Sequence, residues 1–363
     1  MKAGTEKKQE LYFVIWHVTN ECNLSCRYCY VEVNRFKDRN STGQLKRVAE
    51  KINSSTARFV QFTGGEPFCR GDIVEIIHSL RKDIHVSIAT NGMLLTSEIA
   101  RSLTDRGRVT FSISLDHHQS INALTRVGSN TPKIVKNIRM LQEHGFAPHI
   151  SSVITRTNSG KIAEMIDAFY EMGVREWHPI IMHNRGSARN GFFDEMSLSL
   201  EEEKALLRGL FHLRQINKER GMAVEPPKVQ LEEYYELFVP DTTKHRPCLC
   251  GYYRAIIKHD GGVVPCDAIK YPDDYERAGI SIPNVLGDTS LEDAFYHTEL
   301  FKVWRSATSE VVPFGCGSCK YWDLCRGYCR GLSLARYGKV TGLFGPPVEC
   351  VRTVERGIRS TDG

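Results

Sequence analysis

From residue 11 to about residue 215, short apolar runs rich in Val, Ile, Phe and Thr alternate with longer stretches whose apolar residues recur three and four apart. The first pattern suits strands and the second amphipathic helices, so their alternation predicts βα units on a parallel sheet. Six strands are predicted: Tyr12–Val18, Phe59–Thr63, Val86–Thr90, Val109–Leu115, His149–Thr155 and Glu176–Ile181, each followed by a helix. The last helix is the best marked. Ser199 and Glu202 make a capping box ahead of the periodic Leu206, Leu207, Leu210, Phe211 and Leu213.

Near residue 220 the pattern breaks. Glu225-Pro226-Pro227, an acidic aromatic run and Asp241 to Pro247 show no sustained period, and beyond Cys248 glycine, proline and cysteine replace long amphipathic stretches. The fold class expected is α/β. Residues 1–219 form a partial (β/α)6 TIM-like barrel, 220–247 bridge, and 248–363 form a small cysteine-rich domain held by metal rather than by a large core. At 363 residues, 41% hydrophobic, the chain is long enough for both. A net charge of +5, spread along the chain without a basic block, argues against a specific nucleic-acid partner. With no run of eighteen apolar residues and no apolar stretch in MKAGTEKKQE, neither a membrane span nor export is expected, which places the protein in the cytoplasm.

Twelve cysteines is a high number for such a protein, because reduced cytosolic thiols do not sustain a disulfide framework. Their grouping points to metal. Cys22, Cys26 and Cys29 share one loop directly after the first strand, spaced C-x3-C-x2-C. A four-iron cluster takes one ligand per iron, so three local thiolates leave one iron open. The amine and carboxylate of a methionine moiety can chelate it, which sets a sulfonium beside the cluster for reductive cleavage. The competing reading is a zinc site completed by a distant ligand such as His17. Cys69, after Pro67-Phe68, reads as a small buried apolar residue.

This spacing, with the aromatic Tyr28 before the last cysteine, resembles the signature of the radical S-adenosylmethionine superfamily. The resemblance implies a catalytic [4Fe-4S] cluster on the three cysteines, S-adenosyl-L-methionine as the second cofactor, and Tyr28 near the adenine. Thr63-Gly64-Gly65-Glu66-Pro67 closes the second strand and resembles the family segment that hydrogen-bonds the methionine amine. It lacks the lysine and serine of a phosphate loop. The third strand ends Ala89-Thr90-Asn91-Gly92 and the fourth Ser112 to Asp116, polar strand ends that suit a ribose. By resemblance Ser114 and Asp116 lie on the ribose side, and Arg126 pairs with the methionine carboxylate. As residues alone, these are equally turn formers, helix caps and a surface arginine.

The second constellation is Cys248-x-Cys250, Gly261-x4-Cys266, Cys316-x2-Cys319-x5-Cys325-x3-Cys329 and Cys350. A zinc ribbon pairs two short spacings, whereas this array interleaves four ligands with singletons on either side. It resembles the SPASM extension, which carries auxiliary clusters in radical enzymes. By analogy Cys316, Cys319, Cys325 and Cys350 hold one cluster, and Cys266 and Cys329 with Cys248 and Cys250 hold the other. Cys248 and Cys250 lie closer together than the upstream pair of relatives, so one of them need not ligate. Asp267, next to Cys266, stands where an aspartate is proposed to take a substrate proton in sulfatase-maturing relatives; the alternative is a carboxylate that caps a turn.

The resemblance implies cleavage of S-adenosylmethionine to a 5′-deoxyadenosyl radical that abstracts a substrate hydrogen, with flavodoxin or ferredoxin as reductant. A peptide or protein side chain is the leading substrate, and a cofactor precursor of tetrapyrrole or quinone type the second. With 21 residues ahead of Cys22, leader binding is expected from a separate partner or not at all. Two rivals belong to other classes. An electron-transfer protein would not bind S-adenosylmethionine, and a zinc scaffold would be colourless.

Overall fold

A computed structural model describes residues 10–31, 33–34, 40–104, 108–184, 186–189, 191–227, 229, 232–239, 250–267 and 280–309, with 319, 322–325, 329–331 and 334. Six strands carry the barrel: β1 (Phe13–Thr19), β3 (Phe59–Gly64), β4 (His85–Thr90), β5 (Val109–Ser114), β7 (His149–Ile154) and β8 (Glu176–Ile181). All six predicted strands are present, shifted at most by a residue at either end. They pair in parallel in the order β1-β3-β4-β5-β7-β8. The intervening helices include α1 (Thr42–Asn53), α2 (Ile73–His78), α3 (Ser97–Thr104), α4 (Asn122–Thr125), α5 (Thr131–Glu143), α6 (Ile162–Glu171), α7 (Phe192–Met196) and α8 (Leu200–Glu219). The capping box of α8 forms as predicted, with the Ser199 hydroxyl accepting from Glu202 N and the Glu202 carboxylate accepting from Ser199 N.

One side of the sheet is apolar. Val14, Trp16, Val60, Phe62, Val86, Ile88, Phe111, Ile113, Ile150 and Trp177 are buried with Leu45, Val48 and Ile52 of α1, Ile76 and Ile77 of α2, and Ile134, Ile138 and Leu141 of α5. Every second strand residue belongs to this face, as the pleat requires. The other face carries Gln61, Ser87, Thr110, Ser112, Ser114, Ser151 and His178. It is the concave, polar side of the partial barrel.

The sheet extends beyond the six predicted strands at both edges. β9 (Ala223–Val224) joins β8, and β10 (Arg254–Ile257) joins the free edge of β1 in parallel, with β11 (Val263–Val264) antiparallel to it. So part of the cysteine-rich region completes the barrel sheet, which short runs such as Arg254-Ala-Ile-Ile did not advertise. Its described helices are α9 (Glu232–Phe238), in the bridging stretch, then α10 (Leu291–Tyr296), α11 (Glu299–Ser309) and α12 (Trp322–Cys325). Phe295, Leu300, Phe301 and Trp304 give α10 and α11 an apolar core. Among the described residues no helix is long and apolar enough to cross a membrane.

Candidate active site

The three-cysteine loop leaves the end of β1 and is held by backbone from several strand ends. Gly65 N donates to Thr19 O (2.9 Å) and Glu66 N to Glu21 O (2.8 Å). The approach is close enough to require glycine: a Cβ on Gly64 would sit 2.2 Å from Thr19 O, and one on Gly65 2.0 Å from Glu21 O. At the far end Ser187 N donates to Cys29 O (2.9 Å), and a Cβ on Gly186 would meet the same oxygen at 2.2 Å. Asn34 closes the loop from outside. Its Oδ1 accepts from Cys22 N (3.0 Å) and its Nδ2 donates to Cys22 O (3.1 Å). Cys26 lies in the two-residue strand β2 (Ser25–Cys26), paired with β6 (Arg126–Val127).

Glu66 fastens this turn to the next strand. Its Oε1 accepts from Thr90 Oγ1 (2.7 Å) and Phe68 N (3.2 Å), and its Oε2 from Asn91 N (2.7 Å). Burial nevertheless pushes its carboxyl up to about 7, against those hydrogen bonds. Asn91 Nδ2 donates to Asn23 Oδ1 of the cysteine loop (2.8 Å), and Pro67 opens the short 3-10 turn Pro67–Cys69. The Gly-Gly-Glu-Pro segment thus shapes the loop directly, as well as offering backbone to a ligand.

Beyond β5, Asp116 is the hub. It accepts from the Tyr28 hydroxyl, from Thr125 Oγ1 (2.8 Å) and from Val153 N (2.9 Å), and pairs with Arg126 at 3.1 Å. Burial alone would lower the Arg126 pKa, but the Asp116 charge raises it, so the guanidinium is charged. Burial also holds the Tyr28 hydroxyl well above its ordinary range. Arg126 lies 5.4 Å over the Tyr28 ring and reaches Cys26, while its buried Nε has no hydrogen-bond partner. Ser114, on the concave face, is in register with Ser151.

Cys22, Cys26 and Cys29 suit a cluster better than a single ion. A tetrahedral zinc site sets sulfurs about 3.8 Å apart, from its 2.3 Å Zn–S bonds. These three sulfurs do not all lie within 4.8 Å of one another; among the described residues only His117, His118 and Glu164 form such a group. That group is not a ready metal site. Gln119 N donates to His117 Nδ1 (3.1 Å), which leaves the proton of the neutral ring on the Nε2 that faces Glu164. Burial pushes the Cys22 thiol up to about 12 and Cys26 to about 11, so thiolate at neutral pH requires a cationic group between them. The unpartnered Arg126 Nε beside Cys26 fits a carboxylate, the group that S-adenosylmethionine presents.

In the cysteine-rich region, Asp267 Oδ1 lies 2.8 Å from His17 Nε2 on β1, an ion-pair distance whose angle does not make a hydrogen bond. His17 is therefore aimed at Asp267, not available as a fourth zinc ligand. Tyr30 is next to both, with Thr63 bonded to its hydroxyl. Cys250 is buried and 2.7 Å from Arg254 Nη2, and Cys266 is buried after β11. Cys319, Cys325 and Cys329 are half-buried. Cys69 is also half-buried, more open than its apolar reading implied. Cys248, Cys316 and Cys350 lie outside the described residues. Sequence reasoning missed Asn34, Thr125 and Gly186 as parts of the site, and named His17 only as an alternative zinc ligand. Only Thr125 carried a signal, its adjacency to Arg126.

Residues 16–169 match the Radical SAM superfamily. The chain carries a radical SAM domain. It is an enzyme of that class, which uses S-adenosylmethionine and a [4Fe-4S] cluster. The chain is similar to an AdoMet-dependent heme synthase of Nitratidesulfovibrio vulgaris, 26% identical over 87% of this chain and 86% of that one. It is equally similar to the mycofactocin maturase MftC of Mycolicibacterium smegmatis, 27% identical over 93% of this chain and 81% of that one. Its fold matches Streptococcus suis SuiB with a TM-score of 0.74 at 17% identity, over 94% of this chain and 77% of that one. It also matches anSMEcpe with bound AdoMet, TM-score 0.65 at 20% identity over 90% of each chain.

Proposed function

We propose that this radical SAM enzyme abstracts a hydrogen from a peptide or protein side chain, with a catalytic cluster on Cys22, Cys26 and Cys29. The observation that carries this is the 2.8 Å approach of Asp267 to His17, which sets the cysteine-rich region against the strand that ends in the cluster loop. Likeness across both regions to a mycofactocin maturase and to a PqqA peptide cyclase supports it. When bound, the cluster supplies the electron that cleaves S-adenosylmethionine to methionine and a 5′-deoxyadenosyl radical. Arg126 holds the methionine carboxylate through its free Nε, Tyr28 covers the adenine, Gly64 to Pro67 and Asn91 shape the amine side, and Ser114 and Asp116 the ribose side. Asp267 takes the substrate proton and His17 keeps its carboxylate oriented. Cys316, Cys319, Cys325 and Cys350, and Cys266 and Cys329 with Cys248 and Cys250, would hold two auxiliary clusters in 248–363, which would supply an acceptor for the electron left on the substrate. For Cys250, Arg254 is a competing partner. Flavodoxin or ferredoxin in a reducing cytoplasm supplies the first electron.

The test is anaerobic reconstitution, reduction with dithionite and addition of S-adenosylmethionine. Deoxyadenosine and methionine should form slowly alone and faster with a peptide substrate, sought first among any short peptides encoded beside the gene. Intact S-adenosylmethionine under strong reduction would sink the reading. Similarity to heme synthases favours a second substrate, a tetrapyrrole precursor, which would show as acceleration by a porphyrin instead.

A further inference from the structure

The concave face of the sheet carries a constellation that the cysteine loop does not use. Ser114 of β5 is in register with Ser151 of β7, and Ser151 with His178 of β8. One row toward the strand starts, Ala89, Ser112 and His149 align. The imidazoles of His149 and His178 stack with centroids 4.6 Å apart, and His178 Nε2 lies 2.6 Å from Glu176 Oε1. Ser112 Oγ and Ser151 Oγ share a hydrogen bond of 2.9 Å. No hydrogen-bond partner meets either ring nitrogen of His149 among the described residues. In the next row Ile180, 44% exposed, is in register with Val153 and makes an apolar ledge.

This wall is polar and short of cations. Burial, then the neighbouring His178, pushes His149 down to about 4, so its ring is neutral at pH 7 and both donates and accepts a hydrogen bond. Neither lysine nor arginine occurs in β1, β3, β4, β5, β7 or β8. A ligand with several carboxylates is ordinarily met by arginine forks or lysines, which these strands do not offer. Adjacent strands lie about 4.8 Å apart, so His178 stands roughly 10 Å along the row from Ser114.

We propose that this wall, centred on His149 and His178, is the substrate-recognition surface and selects an uncharged polar residue of a peptide, a hydroxyl or amide, rather than a carboxylate-rich tetrapyrrole. The proposal rests on the peptide reading above and narrows it. Glu176 fixes the His178 ring, His149 offers its unpaired nitrogens to the polar group, and the Ile180 ledge takes apolar neighbours. Both histidines act as specificity-determining residues.

The test is an mRNA-displayed library of random dodecapeptides, selected on cluster-loaded enzyme with S-adenosylmethionine and compared with coproporphyrin III as a carboxylate-rich probe. Enriched peptides should share Ser, Thr, Asn or Gln at one position and bind about tenfold more weakly to the H149L/H178L double variant. His178→Gln, whose amide also donates and accepts, should bind better than His178→Leu. Replacing the shared polar residue by alanine should cost little further in the double variant. Equal binding by a double variant of unchanged iron content overturns the proposal, as does a library without binders, or coproporphyrin III bound by the wild type and lost in the double variant. Peptides held by the wall in an enzyme that never cleaves S-adenosylmethionine would support the wall and refute the proposed reaction.

Discussion

The two cysteine constellations are built in opposite ways. Cys22, Cys26 and Cys29 sit on one loop fixed by backbone hydrogen bonds from Gly65, Glu66 and Ser187 and by the Asn34 side chain, on a sheet whose apolar core contains none of them. The later cysteines are spread from Cys248 to Cys350, and the described ones attach to short elements such as β11 and α12. The barrel thus prepares its site before any metal arrives. Clusters on the later cysteines would instead tie together segments far apart in the sequence, the arrangement in which metal binding contributes to folding. The difference teaches where each cluster's loss should be felt: in chemistry for the first, in folding for the second.

The largest expected effect tests that division. Replacing Cys22, Cys26 and Cys29 together by alanine should abolish deoxyadenosine formation while bound iron falls by only about four per chain. Far-ultraviolet circular dichroism should be unchanged. Loss of all iron in that variant would show that the two constellations are not independent.

Next comes the contact between the regions. If Asp267 is the base, Asp267→Asn should keep iron content and deoxyadenosine formation, yet lower product roughly a hundredfold. Deuterium from labelled substrate should still reach deoxyadenosine. Normal product yield would make Asp267 structural, and lost iron would place it in support of Cys266.

The contrast also decides what the sequence could reveal. Local features were legible: six strands by their apolar runs, the α8 cap at Ser199, and a ligand loop because its three cysteines fall within eight residues. Pairings between distant segments were not. Nothing in Arg254-Ala-Ile-Ile announces that it lies beside Phe13 to Trp16, and nothing near His17 announces Asp267, 250 positions later. Gly186 looked like any loop glycine until Cys29 O was found against it. Arg126 and Asp116 were each legible as candidates, but that they pair with one another was not.

That network sets the third expectation. Arg126→Ala should weaken S-adenosylmethionine binding by about 1.5–3 kcal/mol, the range for a lost charged hydrogen bond. Because the change also leaves Asp116 buried without its counter-charge, Arg126→Lys is the fairer probe. It keeps the charge and loses the fork. Isothermal titration of the loaded protein reads both, and unchanged affinity in both variants would leave Arg126 as a partner of Asp116 alone.

The smallest effect concerns Glu66, inside the barrel's prearranged site. Its carboxyl is raised from an ordinary 4.5 to about 7 by burial, so the folded state holds a proton that the unfolded chain has already lost between those values. Its contribution is therefore most favourable below about pH 4.5 and is lost as the pH rises through about 7. The full difference is at most about 3 kcal/mol. In a chain of this length that is about 4 °C in Tm. Three donors, Asn91 N, Thr90 Oγ1 and Phe68 N, favour the ionised form and reduce it further. Glu66→Gln removes the proton and leaves an amide that must face one of those donors, so the variant should be less stable at every pH. The measurement that matters is the slope: subtracting variant from wild-type Tm across pH 5 to 8 should give a stability advantage that shrinks as the pH rises. A constant difference would mean that Glu66 is ionised throughout, and that the turn below Cys22 carries a buried negative charge ready to oppose the thiolates beside it.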